Sequence, residues 1–258
     1  MMIKRTTAAL TCLLALSAIR AAAQAPTADH SFQDARIHES LITTTAGGLT
    51  LSIHNLSSEA ITACVFREVM PEVNGRRTGE SAYFADRIYS PHPSPRQLAL
   101  NPGPNETGSF VVIPDRISGR VTRPAEVSLM AVVFEDGSSA GDPTWISAII
   151  ERRKAHLQAL SYAASLFQAA QAGSESMDQV LSALDAQQAR LGPSPSIGQK
   201  PVEWGRWAAQ AEIYREVPRT IRSIPSSDRV KSLVNALLTD YSSSIQRIEN
   251  SKPSLSSQ

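Results

Sequence analysis

The chain is predicted to be α+β, with an N-terminal antiparallel β-sandwich followed by a helical region of about four helices. Three observations predict it. Apolar residues alternate with polar ones in short runs up to the Asp136-Gly137 pair, and turn chemistry separates those runs. Beyond that pair the apolar residues recur at three- and four-residue steps.

The strands come first. Leu49-Thr-Leu-Ser-Ile53 places Leu49, Leu51 and Ile53 on one face, and Gly47-Gly48 supplies the turn before it. His54 to Ala60 is a polar connection into Ile61-Thr-Ala-Cys-Val-Phe66, whose β-branched content suits a central strand. Ser109 to Ile113 and Val127 to Phe134 are two further runs, whereas Ser90 to Glu106 is rich in Pro, Ser and Asn and predicts irregular chain. No helical pattern falls between the strands, which argues against a parallel sheet. The spacing favours a sandwich of the immunoglobulin-like kind over residues 26–140.

The helical region is predicted over residues 141–250. Asp142-Pro143 is a helix start, with aspartate as N-cap and proline at the first helical position. Ile146, Ile149, Ile150, Leu157, Leu160, Ala164 and Phe167 then fall on one face. Burying six such large side chains is worth about 10 kcal/mol before entropy, so this helix must dock against something. Gly173 ends it. A second helix spans Met177 to Leu191, with Ser176 and Gln179 as a capping box and Gly192-Pro193 as its stop. A third follows Pro201, carries Trp207, Ala211 and Tyr214 on one stripe, and kinks or ends at Pro218. The fourth begins after Ser227 and carries Val230, Leu233, Val234, Leu237, Tyr241, Ile245 and Ile248. Residues 251–258 are polar and read as a disordered tail.

Residues 1–25 read as a secretory signal peptide. Lys4-Arg5 leads an apolar run from Ala8 to Ile19, and Ala21-Ala22-Ala23 or Ala23-Gln24-Ala25 offers small residues for cleavage. That run is too short to span a bilayer. The expectation is an exported protein, periplasmic or secreted, with no membrane span after cleavage. Removing the leader changes the balance from 25 basic and 24 acidic residues to 22 and 24. So even a balance lacks the footprint of a nucleic-acid binder. Of the two cysteines, Cys12 lies in the leader and Cys64 in a strand, so no disulfide framework is expected.

Reactive constellations are sparse. His30, His38, His54, His92 and His156 stand apart, with no His-Glu-x-x-His, Gly-x-Ser-x-Gly or phosphate-binding glycine loop. No catalytic residue, cofactor or metal is therefore predicted. Asp136-Gly-Ser-Ser-Ala-Gly-Asp142 could offer oxygens to calcium, but it lacks a closing bidentate Glu, and a turn followed by a helix cap is preferred. Cys64 reads as inert core, and Arg152-Arg153-Lys154 as the solvent face of the first helix rather than an anion grip. Trp204 and Trp207, three apart on a helix, are the candidate ligand-binding residues, as an aromatic platform for a sugar; the alternative is that they are core. Asn55-Leu-Ser57 and Asn105-Glu-Thr107 are glycosylation sequons, relevant only in a eukaryotic secretory route.

Two strings carry a resemblance. Ser52 to Ala63, an asparagine turn leading into an Ile-Thr-Ala strand, resembles small immunoglobulin-like domains of exported bacterial proteins. Ala131 to Asp142, running into a helix with Arg152-Arg153, resembles uncharacterised exported proteins of Gram-negative soil bacteria. The resemblance implies a sandwich in a bacterial envelope or secreted setting and brings no catalytic residues. Together these features predict a non-catalytic interaction or scaffolding protein of the cell envelope, with another envelope protein as partner. The alternatives are a hydrolase whose residues meet only on folding, or a carbohydrate or small-ligand binder.

Overall fold

The structure, a computed structural model, describes residues 32–43, 49–70, 72–73, 76–77, 79–88, 100–112, 115–117, 120–122 and 126–250. The predicted signal peptide, the C-terminal tail, His30, His92 and most of the Pro-rich segment lie outside these residues. The chain is α+β, with antiparallel sheets followed by helices, as the periodicity predicts.

Strands β1 (Ile37–Thr43), β2 (Leu49–Asn55) and β7 (Thr107–Val112) form one sheet in the order β1-β2-β7. Strands β3 (Ile61–Val69), β6 (Glu80–Asp86), β10 (Glu126–Phe134) and β11 (Ser139–Gly141) form a second, ordered β11-β10-β3-β6. Two small hairpins, β4–β5 (Glu72–Val73 with Arg76–Arg77) and β8–β9 (Asp115–Ile117 with Arg120–Thr122), project from the connections. The two large sheets pack face to face. Leu49, Leu51, Ile53 and Phe110 from the first meet Cys64, Phe66, Val132 and Phe134 from the second. At the centre Phe66 stacks on Phe110 with centroids 4.5 Å apart.

The second sheet is buried on both faces, which explains its unbroken apolar runs. Its inner face joins the sandwich core, while Ala63, Val65, Ala131 and Val133 face Trp145, Ile149 and Ile197 of the helical layer. Alternation lets one strand serve both cores, and two β-bulges shift which residues face which side. Thr62 is the extra residue of β3, between the pairs Ile61–Phe134 and Ala63–Val133. Met130 is the extra residue of β10, between Leu129–Phe66 and Ala131–Val65.

Helix α1 (Pro143–Gln171) starts where predicted, with the Asp142 carboxylate accepting the backbone N–H of Thr144 and Trp145. It lies across the second sheet and under the remaining helices: α2 (Met177–Leu191), α3 (Pro201–Ala211), α4 (Val217–Arg222) and α5 (Ser227–Asn250). The Ser176–Gln179 capping box on α2 is present. The kink expected at Pro218 is a five-residue π-turn, Glu212–Glu216, joining α3 to α4. Proline lacks the N–H that an α-helical ladder needs, and the π-turn takes up the interruption.

Helix α1 does not present a single apolar face with a basic outer side. Flanked by sheet on one side and helices on the other, it buries a broad arc that includes Trp145, Ala148, Arg153 and His156. Leu157 and Ile146 are only half-buried. The basic run Arg152–Lys154 is thus not a solvent face: Lys154 alone is exposed, and Arg153 points into the sheet.

Candidate functional site

The first sheet leaves its other face open. Alternation sends Ile37, Leu41, Leu49, Leu51, Ile53 and Phe110 inward, and their neighbours outward. The register aligns those neighbours in three rungs: His38–His54–Thr107, Ser40–Ser52–Ser109 and Ile42–Thr50–Val111. None of the nine is Asp, Glu, Lys or Arg. His54 Nδ1 lies 3.0 Å from Thr107 Oγ1, and the Ser52 and Ser109 hydroxyls are 3.4 Å apart. Among the described residues the exposed large apolar side chains are Ile42 (56 %), Val111 (50 %) and Leu56 (49 %). The first two flank Thr50 on one rung, and the third follows the end of β2. This face carries no carboxylate, ammonium or guanidinium on its three rungs, is apolar at one end and is hydroxyl-lined in the middle. It can dock an uncharged surface; no nucleophile on it is activated by a carboxylate.

The residues singled out in the sequence are placed as follows. Trp204 is half-buried between sheet and helix, its ring stacked on Phe84 at 5.4 Å. Trp207, also half-buried, donates its indole N–H to the Gly192 carbonyl at 3.1 Å. A glycan-binding role for Trp204 and Trp207 would have to use the ring edges left outside these contacts. Cys64 is fully buried, its thiol donating to the Leu100 carbonyl, and burial pushes that thiol well above its ordinary range. The Asp136–Asp142 string is a hairpin turn. Asp136 accepts the N–H of Ser138, β11 follows, and Asp142 caps α1. Among the described residues no three His, Cys, Asp or Glu side chains are grouped to hold a metal. Asn55 of the first sequon is fully buried. Its amide donates to the carbonyls of Glu59, Pro102 and Gly103 while its oxygen accepts from Ser57, so it ties the sandwich end together instead of offering an acceptor.

Three interior polar features escaped the sequence reading. Arg153 donates to Asp86 through Nε at 2.7 Å and through a terminal nitrogen at 3.2 Å, and also reaches the Thr62 hydroxyl. The Thr62 hydroxyl itself donates to the Val133 carbonyl. Glu39, inward on β1, accepts the N–H of Leu129 on β10 and of Phe32, linking the two sheets along one side. Burial holds its carboxyl above the usual carboxylate range. An inward glutamate has no apolar signature, but its place in an alternating run, Ile37-His-Glu-Ser-Leu41, was the available signal.

His156, in the middle of α1, is 4 % exposed. Burial, reinforced by Arg152, lowers its pKa below the ordinary histidine value, against the opposing pull of Glu212 and Asp86. An unfolded histidine takes up its proton near pH 6.5, and the folded one resists it. The unfolded state therefore binds more protons just below that pH, and the stability that His156 contributes, present above about pH 6.5, is lost as the pH falls toward the folded value. His156→Gln is expected to flatten the fall in urea midpoint between pH 7 and pH 5.5 relative to the unaltered chain. Equal pH slopes in the two proteins would show that His156 is not the titrating group.

A concavity lies among the helices. Ala170, Met177, Val230 and Val234 line an open, mainly apolar groove of about 580 Å³, with Lys231, Gln171 and Asn235 at its rim. No described helix is long and apolar enough to cross a membrane. No family model matches the chain, and neither a curated protein nor a solved structure matches it.

Proposed function

We propose that this chain is an exported, non-catalytic binding or scaffolding protein of the bacterial envelope that engages a partner protein through the open face of its three-stranded sheet. The observation that carries this is the exposure of Ile42 and Val111 on one rung of that face, on either side of Thr50. The other large sheet is covered on both sides by the protein's own residues. Exposed apolar side chains held on one face of a sheet suit a docking surface. The partner's matching surface would be uncharged, because burying a charge against this face would leave it without an opposite charge.

The strand order supports an immunoglobulin-like sandwich. With the two small hairpins set aside, the first, second and fifth strands share one sheet, and the third, fourth, sixth and seventh share the other. This is the Greek-key division of that fold with the fourth strand moved to the second sheet. Export rests on the basic lead, the short apolar run and the small residues within 1–25.

The test is a photo-activated cross-linking residue placed at Ser52 or, as a control, at the equally half-buried Gln187 on α2, in intact cells. A discrete adduct from Ser52 is expected, lost in the Ile42→Asp/Val111→Asp protein and not formed from Gln187. The same products from both positions, or an adduct indifferent to the two aspartates, would remove the assignment.

A small-ligand carrier is the second reading. The helical groove favours it, with an apolar floor and a lysine at the rim suited to an anionic amphiphile.

A further inference from the structure

We propose that His38 and His54 form a bidentate site for a late first-row divalent ion such as Cu²⁺, Ni²⁺ or Zn²⁺ on the open sheet face. The inference does not depend on that face docking a partner. The two histidines are direct cross-strand partners on β1 and β2, both on outward positions. Directly opposed residues on antiparallel strands bring their Cβ atoms to roughly 5 Å, close enough for two imidazoles to converge on one ion at about 2 Å per bond.

The second observation concerns the ring of His54. Its Nδ1 is engaged by the Thr107 hydroxyl at 3.0 Å, on the β7 side. The two nitrogens of an imidazole sit on nearly opposite edges of the ring. An Nδ1 contact toward β7 therefore turns Nε2 back toward β1, the strand that carries His38. When Nδ1–H donates to Thr107, Nε2 is left with its lone pair free, which is the form a metal binds. A hydrogen bond to the other ring nitrogen is the outer contact that orients metal-binding histidines. Thr107 is thus a positioning residue and not a ligand.

Imidazole pairs suit borderline divalent ions and not magnesium or calcium, which prefer oxygen. Two protein ligands leave coordination positions open to water or to a group from outside the chain. No Asp, Glu, Lys or Arg occupies the three rungs to compete for the ion or repel it. Arg36, two residues before His38, is drawn away by Asp34 and by Ser138 and Ser139.

The experiment is calorimetric titration of the tag-free, leader-processed protein with Cu²⁺ in a non-coordinating buffer, with the spin-resonance spectrum of the 1:1 complex. One equivalent is expected, with hyperfine structure from two imidazole nitrogens and no heat with Mg²⁺. His38→Ala and His54→Gln should each weaken binding at least 10-fold, and Thr107→Val about 10-fold, the lower end for an outer-contact loss. His30→Ala and His92→Ala should leave it unchanged. Thermal melts of the variants report that they fold, as these positions are at the surface. Absence of binding, or wild-type affinity in either His38→Ala or His54→Gln, would overturn the proposal.

Discussion

Arg153→Ala is expected to lower the stability of this protein by about 3–5 kcal/mol, the usual cost of removing one partner from a buried ion pair. Arg153 and Asp86 are 9 % and 3 % exposed at their side chains, so truncation strands the carboxylate without water to replace the guanidinium. It also takes a donor from Thr62, the bulged residue whose backbone carbonyl accepts Arg87 and whose hydroxyl reaches Val133. The pair crosses from helix to sheet, so its loss should loosen the seam between the two layers. A double replacement, Arg153→Met with Asp86→Leu, removes both charges and should recover most of the loss, since apolar residues of similar volume commonly substitute for such pairs. Urea unfolding checks this through the midpoint at constant slope. A loss below about 1 kcal/mol in Arg153→Ala, the range of an exposed pair, would mean that the pair is hydrated.

The second large effect is expected at Gly141, where the sandwich hands over to α1. Its φ of +106° is a conformation that side chains rarely adopt, and an added Cβ would stand 2.3 Å from the Met130 carbonyl oxygen and 2.9 Å from Ala131 Cα. Those are backbone atoms of the central strand β10, and they cannot swing aside. Gly141→Ala should therefore combine backbone strain with a clash and cost at least about 3 kcal/mol. In a chain of this size that corresponds to a fall in melting temperature of about 10 °C. Gly173→Ala is the internal comparison. Its φ is +73°, but nothing lies within 4 Å of the added carbon, so strain alone acts and about 1 kcal/mol is expected. Equal melting temperatures for the two variants would show that the handover has room to give.

β3 and β10 were legible because burial on both faces leaves unbroken apolar runs, and other elements because they have one job. β2 alternates cleanly because one side meets the core and the other meets solvent. The caps at Asp142 and Ser176 were legible because the backbone N–H groups of a helix start admit few side-chain partners. The elements that were missed each carry two demands. β1 has Glu39 where alternation calls for an apolar residue, because that carboxylate bridges to β10. β6 is written in small residues around Tyr83 and Phe84, which serve opposite faces. β11 has only three residues and lay hidden within the Asp-Gly string, so the proposed boundary between residues 140 and 141 falls inside a strand. The same double duty hid the polar interior. Arg153 sits in a basic run that looks solvated, and only the three-dimensional placement of Asp86 across 67 residues of sequence shows otherwise. The open face was half visible. The alternation of β2 placed Thr50, Ser52 and His54 together, but the rungs need β1, which was unrecognised, and β7, which is distant in sequence.

Built into the middle of the molecule is one sheet, and left open is the face of the other. Carbene footprinting of the native protein, read residue by residue by mass spectrometry, tests this division directly. Heavy labelling is predicted at Ile42 and Val111, with Val65, Val133 and Trp145 labelled only after unfolding. Comparable labelling of Val65 and Ile42 in the native state would contradict the account, because the helices would then not be seated on the second sheet and its two faces would not both be interior.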